Sequence, residues 1–211
     1  MSIKVILVDD HAVVRAGFRL LLSSEPSIEV IAEAERGEQA CQLYVETQAD
    51  VIVLDLSMPG IGGLETIRRI YNRDNNAKIL VFSVHDELVY VHRAMNAGAR
   101  GYISKSSAPH YLVKAIQKIA AGECYIEESL QKQLPHESVN YRAIVDTLSA
   151  REFDVFLLLA KGLTAHKIAD ELCLSYKTVA NYGTQIKSKL AVNTVAELAR
   201  IAIALGLMQS C

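Results

Sequence analysis

Four apolar runs in this 211-residue chain end on polar groups that could share one reaction. KVILV leads into Asp9 and Asp10, VIVL into Asp55, ILVF into Ser83 and GYIS into Lys105. Clustered carboxylates repel one another unless a hard cation sits among them, and Mg²⁺ takes one or two carboxylates plus water and phosphate oxygens. An acid trio (Asp9, Asp10, Asp55) with one lysine and one hydroxyl is therefore suited to moving a phosphoryl group onto Asp55. Lys105 would neutralise charge on the moving group, and Ser83 would hydrogen-bond the resulting aspartyl phosphate. Each residue also has a plainer reading. Asp55 caps the Pro-Gly turn after it, Asp10 caps a helix starting at His11, Lys105 is a solvated lysine and Ser83 a turn residue. The recurrence of polar groups at four strand ends favours the chemical reading.

The elements that must position these groups follow a clear rhythm. KVILVDD, EVIAEA, DVIVLDL, KILVFSV and GYISK read as strands, separated and followed by segments of helical period. Alternation of this kind predicts right-handed βαβ units and a parallel five-stranded sheet with helices on both faces, a flavodoxin-like (βα)5 domain over residues 1–124. In such sheets ligands sit in the crevice outside the carboxyl ends of the strands, where the polar groups fall. Residues 125–147 lose the rhythm and contain Pro135, which places a linker there. From 148 to 211 the pattern is helical throughout, four helices in a small second domain. Ser149 with Glu152 three residues on is a capping box, and Ser175 is a second helix start.

The second domain has its own candidate face. Lys177, Asn181 and Gln185 recur at i, i+4 and i+8, with Thr178 and Thr184 beside them, while Val179, Ile186 and Leu190 fall on another side. A helix with amide and cationic tips on one face, preceded by TAHKIADEL and the short turn CLS, fits a helix-turn-helix whose second helix enters the major groove. The plainer reading is an amphipathic helix with a solvated face. Net charge is −2, but residues 148–211 carry seven Lys and Arg against five acids, and residues 173–196 hold Lys177, Lys187 and Lys189 with no acid at all. Local positive charge of that kind attracts phosphate backbones.

Composition bounds the rest. With 51% apolar and 22% charged residues the chain is an ordinary globular protein. No run approaches the length of a membrane span, and MSIKVILVDD lacks a secretory layout, so a cytoplasmic protein is expected. Cys41, Cys124, Cys173 and Cys211 are too far apart for a thiolate metal site and read as reduced.

VDDH, LDLSMPGIGGLE, Ser83 and GYISK together resemble the receiver of two-component response regulators through all five strands. LSAREFDVFLLLAKG, HKIADELCLSYKTV and KSKLAV resemble the LuxR-type helix-turn-helix of the NarL/FixJ class, and MPGIGGLE, GECYI and CLSYKTV followed by Tyr182 are most similar to the GacA/UvrY/SirA group. The resemblance implies phosphorylation of Asp55 by a sensor histidine kinase, Mg²⁺ at Asp9, Asp10 and Asp55, and DNA as the output partner. It also implies a switch pair, Ser83 with the aromatic Tyr102, although Tyr102 equally reads as a static strand residue. Tyr182 and the basic Lys187 and Lys189 join Lys177, Thr178, Asn181 and Gln185 as candidate DNA contacts. Two departures stand out: Tyr176 where relatives carry Pro, and Gly183 inside the recognition helix, which either allows close approach to DNA or weakens the helix by about 1 kcal/mol.

A non-enzymatic, phosphorylation-controlled transcription regulator is expected. Two other readings compete: a phosphohydrolase of the haloacid dehalogenase type, which needs an acid two residues after the nucleophile where this chain has Ser57, and an adaptor without DNA output, against which the acid-free stretch argues. The last helix, TVAELARIAIALGL, is too apolar to be solvated all round. Ala199, Ile203 and Leu207 either pair with a second copy, making a dimer, or belong to the core.

Overall fold

The computed structural model describes residues 2–131 and 145–208, which gather into two compact units. The first runs β1 (Ile3–Val8), α1 (Ala12–Ser23), β2 (Ile28–Ala34), α2 (Gly37–Thr47), β3 (Val51–Leu54), α3 (Gly63–Arg73), β4 (Ile79–Ser83), α4 (Leu88–Ala97), β5 (Gly101–Ser104), α5 (Ala108–Ala120), β6 (Tyr125–Ile126) and α6 (Glu128–Gln131). The strands form one sheet in the order β2-β1-β3-β4-β5-β6, with every described pair parallel.

Strand β3 lies between β1 and β4, and all four of its residues are buried, which is why it reads as an unbroken apolar run. Alternation along the strands sends Val5, Leu7, Val51, Val53, Leu80, Phe82 and Ile103 to one face, where they pack with Leu22 of α1 and Leu112, Ala115, Ile116 and Ile119 of α5. The chain leaves β1 toward β2 on one side and crosses to β3 on the other. The ends of β1 and β3 thus frame the point where the strand order reverses, where open sheets place their ligands.

Five strands were expected and the sheet has six. Two-residue β6 is too short to show a period, and it lies in a stretch read as linker. It is admitted by Gly101, since a Cβ there would stand 2.6 Å from Tyr125 O and 2.6 Å from Ile119 Cδ1. The linker expected over 125–147 thus begins with a strand and the short helix α6. Its Pro135 lies outside the described residues, as does Cys211. Cys41, Cys124 and Cys173 are free thiols, as read.

The second unit holds α7 (Ala150–Ala160), α8 (Ala165–Glu171), α9 (Tyr176–Lys189) and α10 (Val195–Ala204), the four helices expected. Its helix starts are set by side chains. Ser149 and Glu152 form the expected capping box, Thr164 caps α8, Ser175 caps α9, and Thr194 with Glu197 makes a second capping box. No helix among the described residues is long and apolar enough to cross a membrane.

Candidate functional site

The residues at the strand ends are held by the sheet even though they lie just past it. Asp9 N–H donates to Ala34 O (3.1 Å), Asp55 N–H to Val8 O (2.9 Å) and Lys105 N–H to Ser83 O (2.7 Å). Each functional side chain therefore leaves a backbone position already fixed by the neighbouring strand. The turn after Asp55 is held as closely, because α3 begins with Gly63 pressed on it. A Cβ at Gly63 would fall 2.4 Å from Asp55 O and 2.4 Å from Leu56 Cα, so no other residue fits.

Asp9, Asp10, His11 and Asp55 bring ligand atoms within 4.8 Å of one another. Lys105 Nζ donates to Asp55 Oδ2 at 2.7 Å and lies 2.6 Å from Asp9 Oδ2, with the Phe82 ring 5.0 Å beneath it. His11 N–H donates to Asp9 Oδ1 (2.8 Å), and His11 Nδ1 lies 2.9 Å from Asp10 Oδ1. Asp9 Oδ2 and Asp10 Oδ1 are buried; Lys105 forms an ion pair with the first, and His11 Nδ1 lies beside the second. Three carboxylates against one lysine leave a net negative pocket of hard oxygen ligands, a set that fits a divalent cation.

Ionisation in the pocket follows from this crowding. Burial pushes the Asp55 carboxyl up, Lys105 pulls it down by charge and hydrogen bond, and Asp9 adds to the rise, so it ends above the ordinary range. Burial opposes charge on Lys105 too, but Asp55 and Asp9 outweigh it and the ammonium is held more firmly than usual. A charged lysine thus faces an acid whose own charge is costly, which is the arrangement that an added positive charge relieves.

Ser83 and Tyr102 meet at one residue. Ser83 Oγ accepts from His85 N–H (3.3 Å), and Tyr102 OH donates to His85 O (2.7 Å), with both side chains buried. His85 Nε2 lies 3.0 Å from Ser57 Oγ, and its ring stacks on Tyr90 at 4.0 Å. The β4–α4 turn is thus tied to the turn that follows Asp55. Residues that the sequence reading did not single out include His85, Arg15, which donates to Asp9 O (2.7 Å) and pairs with Glu33 and Glu35, and Glu127. A histidine two residues after Ser83 gives no signal in sequence; only the turn brings it to Ser57.

In the second unit, Lys177, Asn181 and Gln185 lie exposed along one face of α9, with Thr184 and Ser188 exposed beside them, and Thr178 and Tyr182 half-buried at its edge. Val179 and Ile186 are buried on the opposite face. The two lysines at the end of the helix part company. Lys187 is half-buried, and Lys189 Nζ pairs with the buried Glu152 at 2.7 Å and donates to Thr147 O at 3.3 Å. Lys189 is therefore used within its own domain. Glu152 has lost solvation, but the bonds from Lys189 and Ser149 more than offset this and hold its carboxyl below the usual range.

The two departures also find a place. Gly183 faces α7, where a Cβ would meet Leu159 Cδ1 at 3.6 Å, and lies off the exposed stripe. Tyr176 is 52% exposed and stacks on His166 of α8, ring centroids 4.4 Å apart, so an aromatic pair joins the starts of α8 and α9. Leu207 of the expected dimer patch, just past α10, is buried, while Ile203 and Val195 on α10 are 38% and 40% exposed.

Residues 5–117 match the response regulator receiver domain, and residues 146–202 match the bacterial regulatory proteins of the luxR family. The transcriptional activator protein ExaE of Pseudomonas putida is 42% identical over 209 residues, covering 97% of this chain and 98% of its own. Response regulator UvrY of Escherichia coli K12 is 38% identical over 208 residues, with 97% and 95% covered. Among solved structures, RcsB from Salmonella enterica serovar Typhimurium, bound to a promoter in the presence of a phosphomimetic, is 25% identical with a TM-score of 0.65, covering 99% of this chain and all of that one. The chain belongs to the two-component response regulators of the NarL/FixJ class, a receiver joined to a LuxR-family DNA-binding domain.

Proposed function

We propose that Asp55 accepts a phosphoryl group from a sensor histidine kinase and that this modification controls DNA binding by the second domain. The observation that carries the reading is the carboxylate trio, with Asp9 and Asp55 buried and Asp10 half-buried, closed by Lys105 at the point where the strand order reverses. Asp55 offers an oxygen to phosphorus as the bond to the donor's nitrogen breaks, and the released imidazole takes up a proton. Lys105 moves from its pairing with Asp55 to the charge on the phosphoryl oxygens, so the ion pair is exchanged rather than lost. Asp9, Asp10 and Asp55 would hold Mg²⁺, which when bound offsets the charge on the carboxylates and the phosphoryl oxygens.

Ser83 and Tyr102 would report the change. The new acceptor draws the Ser83 hydroxyl, and the bond from His85 N–H to Ser83 Oγ yields. Tyr102 OH, bonded to the carbonyl of that same residue, follows the turn. A phosphoryl group biases such an element only through the interactions that differ between its two states.

The receiver occupies residues 1–124 with β6 and α6 appended to it, and a linker leads on to a DNA reader in 148–211. Lys177, Thr178, Asn181, Tyr182 and Gln185 of α9 read or touch DNA, with Lys187 at the flank. Two readers in a homodimer would address half-sites one helical turn, about 34–36 Å, apart. Val195, Ala199 and Ile203 form the surface offered for that pairing. A cytoplasmic regulator with no catalytic turnover of its own fits this scheme.

The test is phosphate incorporation from acetyl phosphate with Mg²⁺, followed by a band shift on promoter DNA. Labelling is expected in the wild type and absent in Asp55→Asn or with chelator. Undiminished labelling of Asp55→Asn would overturn the assignment.

A further inference from the structure

Strand β6 ends after two residues, and the carboxylate that follows completes its ladder. Tyr125 N–H donates to Arg100 O (3.0 Å) and Glu127 N–H to Tyr102 O (3.1 Å), after which the backbone turns into α6. The next donor along β5, Ser104 N–H, then has no strand to meet. It donates instead to Glu127 Oε2 at 3.0 Å. The same oxygen accepts from Ser107 Oγ, and Oε1 accepts from Ser129 Oγ.

Glu127 is buried, with its carboxyl driven the other way by burial but held below the usual range by these three donors. A buried carboxylate without partners would be costly, so its placement commits all three donors at once. Two of the donors, Ser104 and Ser107, bracket the turn that carries Lys105. Ser104 Oγ pairs with Ser106 Oγ at 2.8 Å, and Ser107 Oγ also reaches Ser104 O at 3.2 Å, so the turn is knitted from its own hydroxyls and pinned from below by Glu127.

We infer that Glu127 is a positioning residue for phosphoryl transfer: it fixes the 104–107 turn and thereby aims Lys105 at Asp55. It acts through Lys105 and touches neither the acid cluster nor the phosphoryl donor, so the inference rests on the role proposed for Lys105 above. The distinction has a measurable form. Losing the anchor should slow transfer while the affinity of the acid cluster for the cation stays as it was.

The experiment compares full-length wild type, Glu127→Ala, Glu127→Gln, Lys105→Met and the Glu127→Ala/Lys105→Met double variant. The rate of labelling by acetyl phosphate is measured against donor and against Mg²⁺. Glu127→Ala is expected to lower the rate at saturating donor about tenfold, the scale on which misaligned charge stabilisation is felt, with half-saturating Mg²⁺ unchanged. Glu127→Gln should restore most of it, because the amide oxygen still accepts from Ser104 N–H and the serine hydroxyls can rotate. The double variant should be no slower than Lys105→Met, since the two residues act as one.

A wild-type rate in Glu127→Ala, or a double variant showing the product of both losses, overturns the inference and leaves the role of Lys105 standing. A wild-type rate in Lys105→Met overturns that role and the inference with it. Should Glu127→Ala fail to fold, Ser107→Ala removes one strand of the anchor in a half-buried turn; an unchanged rate there overturns the inference equally.

Discussion

The acid cluster and the exposed face of α9 are built on opposite principles. Around Asp55 the acids and Lys105 are buried or half-buried, and Asp9, Asp55 and Lys105 are charged and set by backbone bonds from neighbouring strands. Along α9 Lys177, Asn181 and Gln185 are exposed, and the helix orders them. The first site stores electrostatic tension that an added charge releases; the second holds no tension and offers tips to a partner that brings its own charge. A buried site shows its function in its contacts, whereas a surface site shows it in what its residues leave free. Lys189 marks the boundary, being basic and on α9 yet paired with Glu152.

The largest effect that would test this contrast is at Asp55. Asp55→Asn should abolish labelling, and it should also stabilise the receiver when no divalent cation is present. An acid whose folded pKa is raised favours folding while protonated. That contribution is full below the unfolded pKa, near 3.9, and is lost as pH rises through the higher folded value. At neutral pH the ionised Asp55 therefore works against folding, and thermal melts in chelator should place the variant above the wild type. A lower melting point would mean that Lys105 gains more from Asp55 than burial costs.

At the reader the expected effect is smaller and depends on salt. Lys177→Ala should weaken binding to all sequences and reduce the slope of log affinity against log salt by about 0.9 if it meets a phosphate. If it reads a guanine instead, discrimination at one position should fall by about 1–3 kcal/mol. A salt titration on specific and scrambled DNA separates the two, and no change in either would remove Lys177 from the interface.

Lys189→Met sharpens the boundary between the classes. It should leave the salt slope unaltered and destabilise the reader by about 1 kcal/mol, since Glu152 is buried but the lysine is partly solvated. The stability that the lowered Glu152 carboxyl contributes is present above its unfolded pKa, roughly 4.3, and is lost as pH falls through the folded value. Melts across pH 3–6 should show a shallower acid slope in the variant. A changed salt slope would return Lys189 to the DNA.

The smallest effect is at Gly183. A methyl there meets Leu159 at ordinary contact distance, so Gly183→Ala should stabilise the reader by up to about 1 kcal/mol without touching DNA affinity. Weakened binding would show that the glycine lets the backbone approach DNA.

Period and punctuation made most of this molecule legible before folding was known. The five long strands, the four helices of the second domain and the capping box at Ser149 all announce themselves locally, because burial on one or two faces imposes a spacing that a single chain displays. Asp9, Asp10, Asp55 and Lys105 were equally legible, since polar residues ending buried strands must converge at one edge of a parallel sheet. What stayed hidden depended on partners distant in the chain. Strand β6 exists because Gly101 leaves room for Tyr125, Lys189 is withdrawn by an acid 37 residues earlier, and Leu207 is buried although its periodicity resembles that of the exposed Ile203.

The order of residues by itself determined that acids, a lysine and a hydroxyl would stand at strand ends and that one helix would carry a polar stripe. Only the tertiary structure decided that Glu127 would replace a missing strand beneath the Lys105 turn, that Ser83 and Tyr102 would both bind the backbone of His85, and that Gly183 would face Leu159. The physical reason is one of range: periodicity records burial that each element meets along its own length, whereas a hydrogen bond to a buried carboxylate or a contact across two helices is set by where the rest of the chain comes to lie.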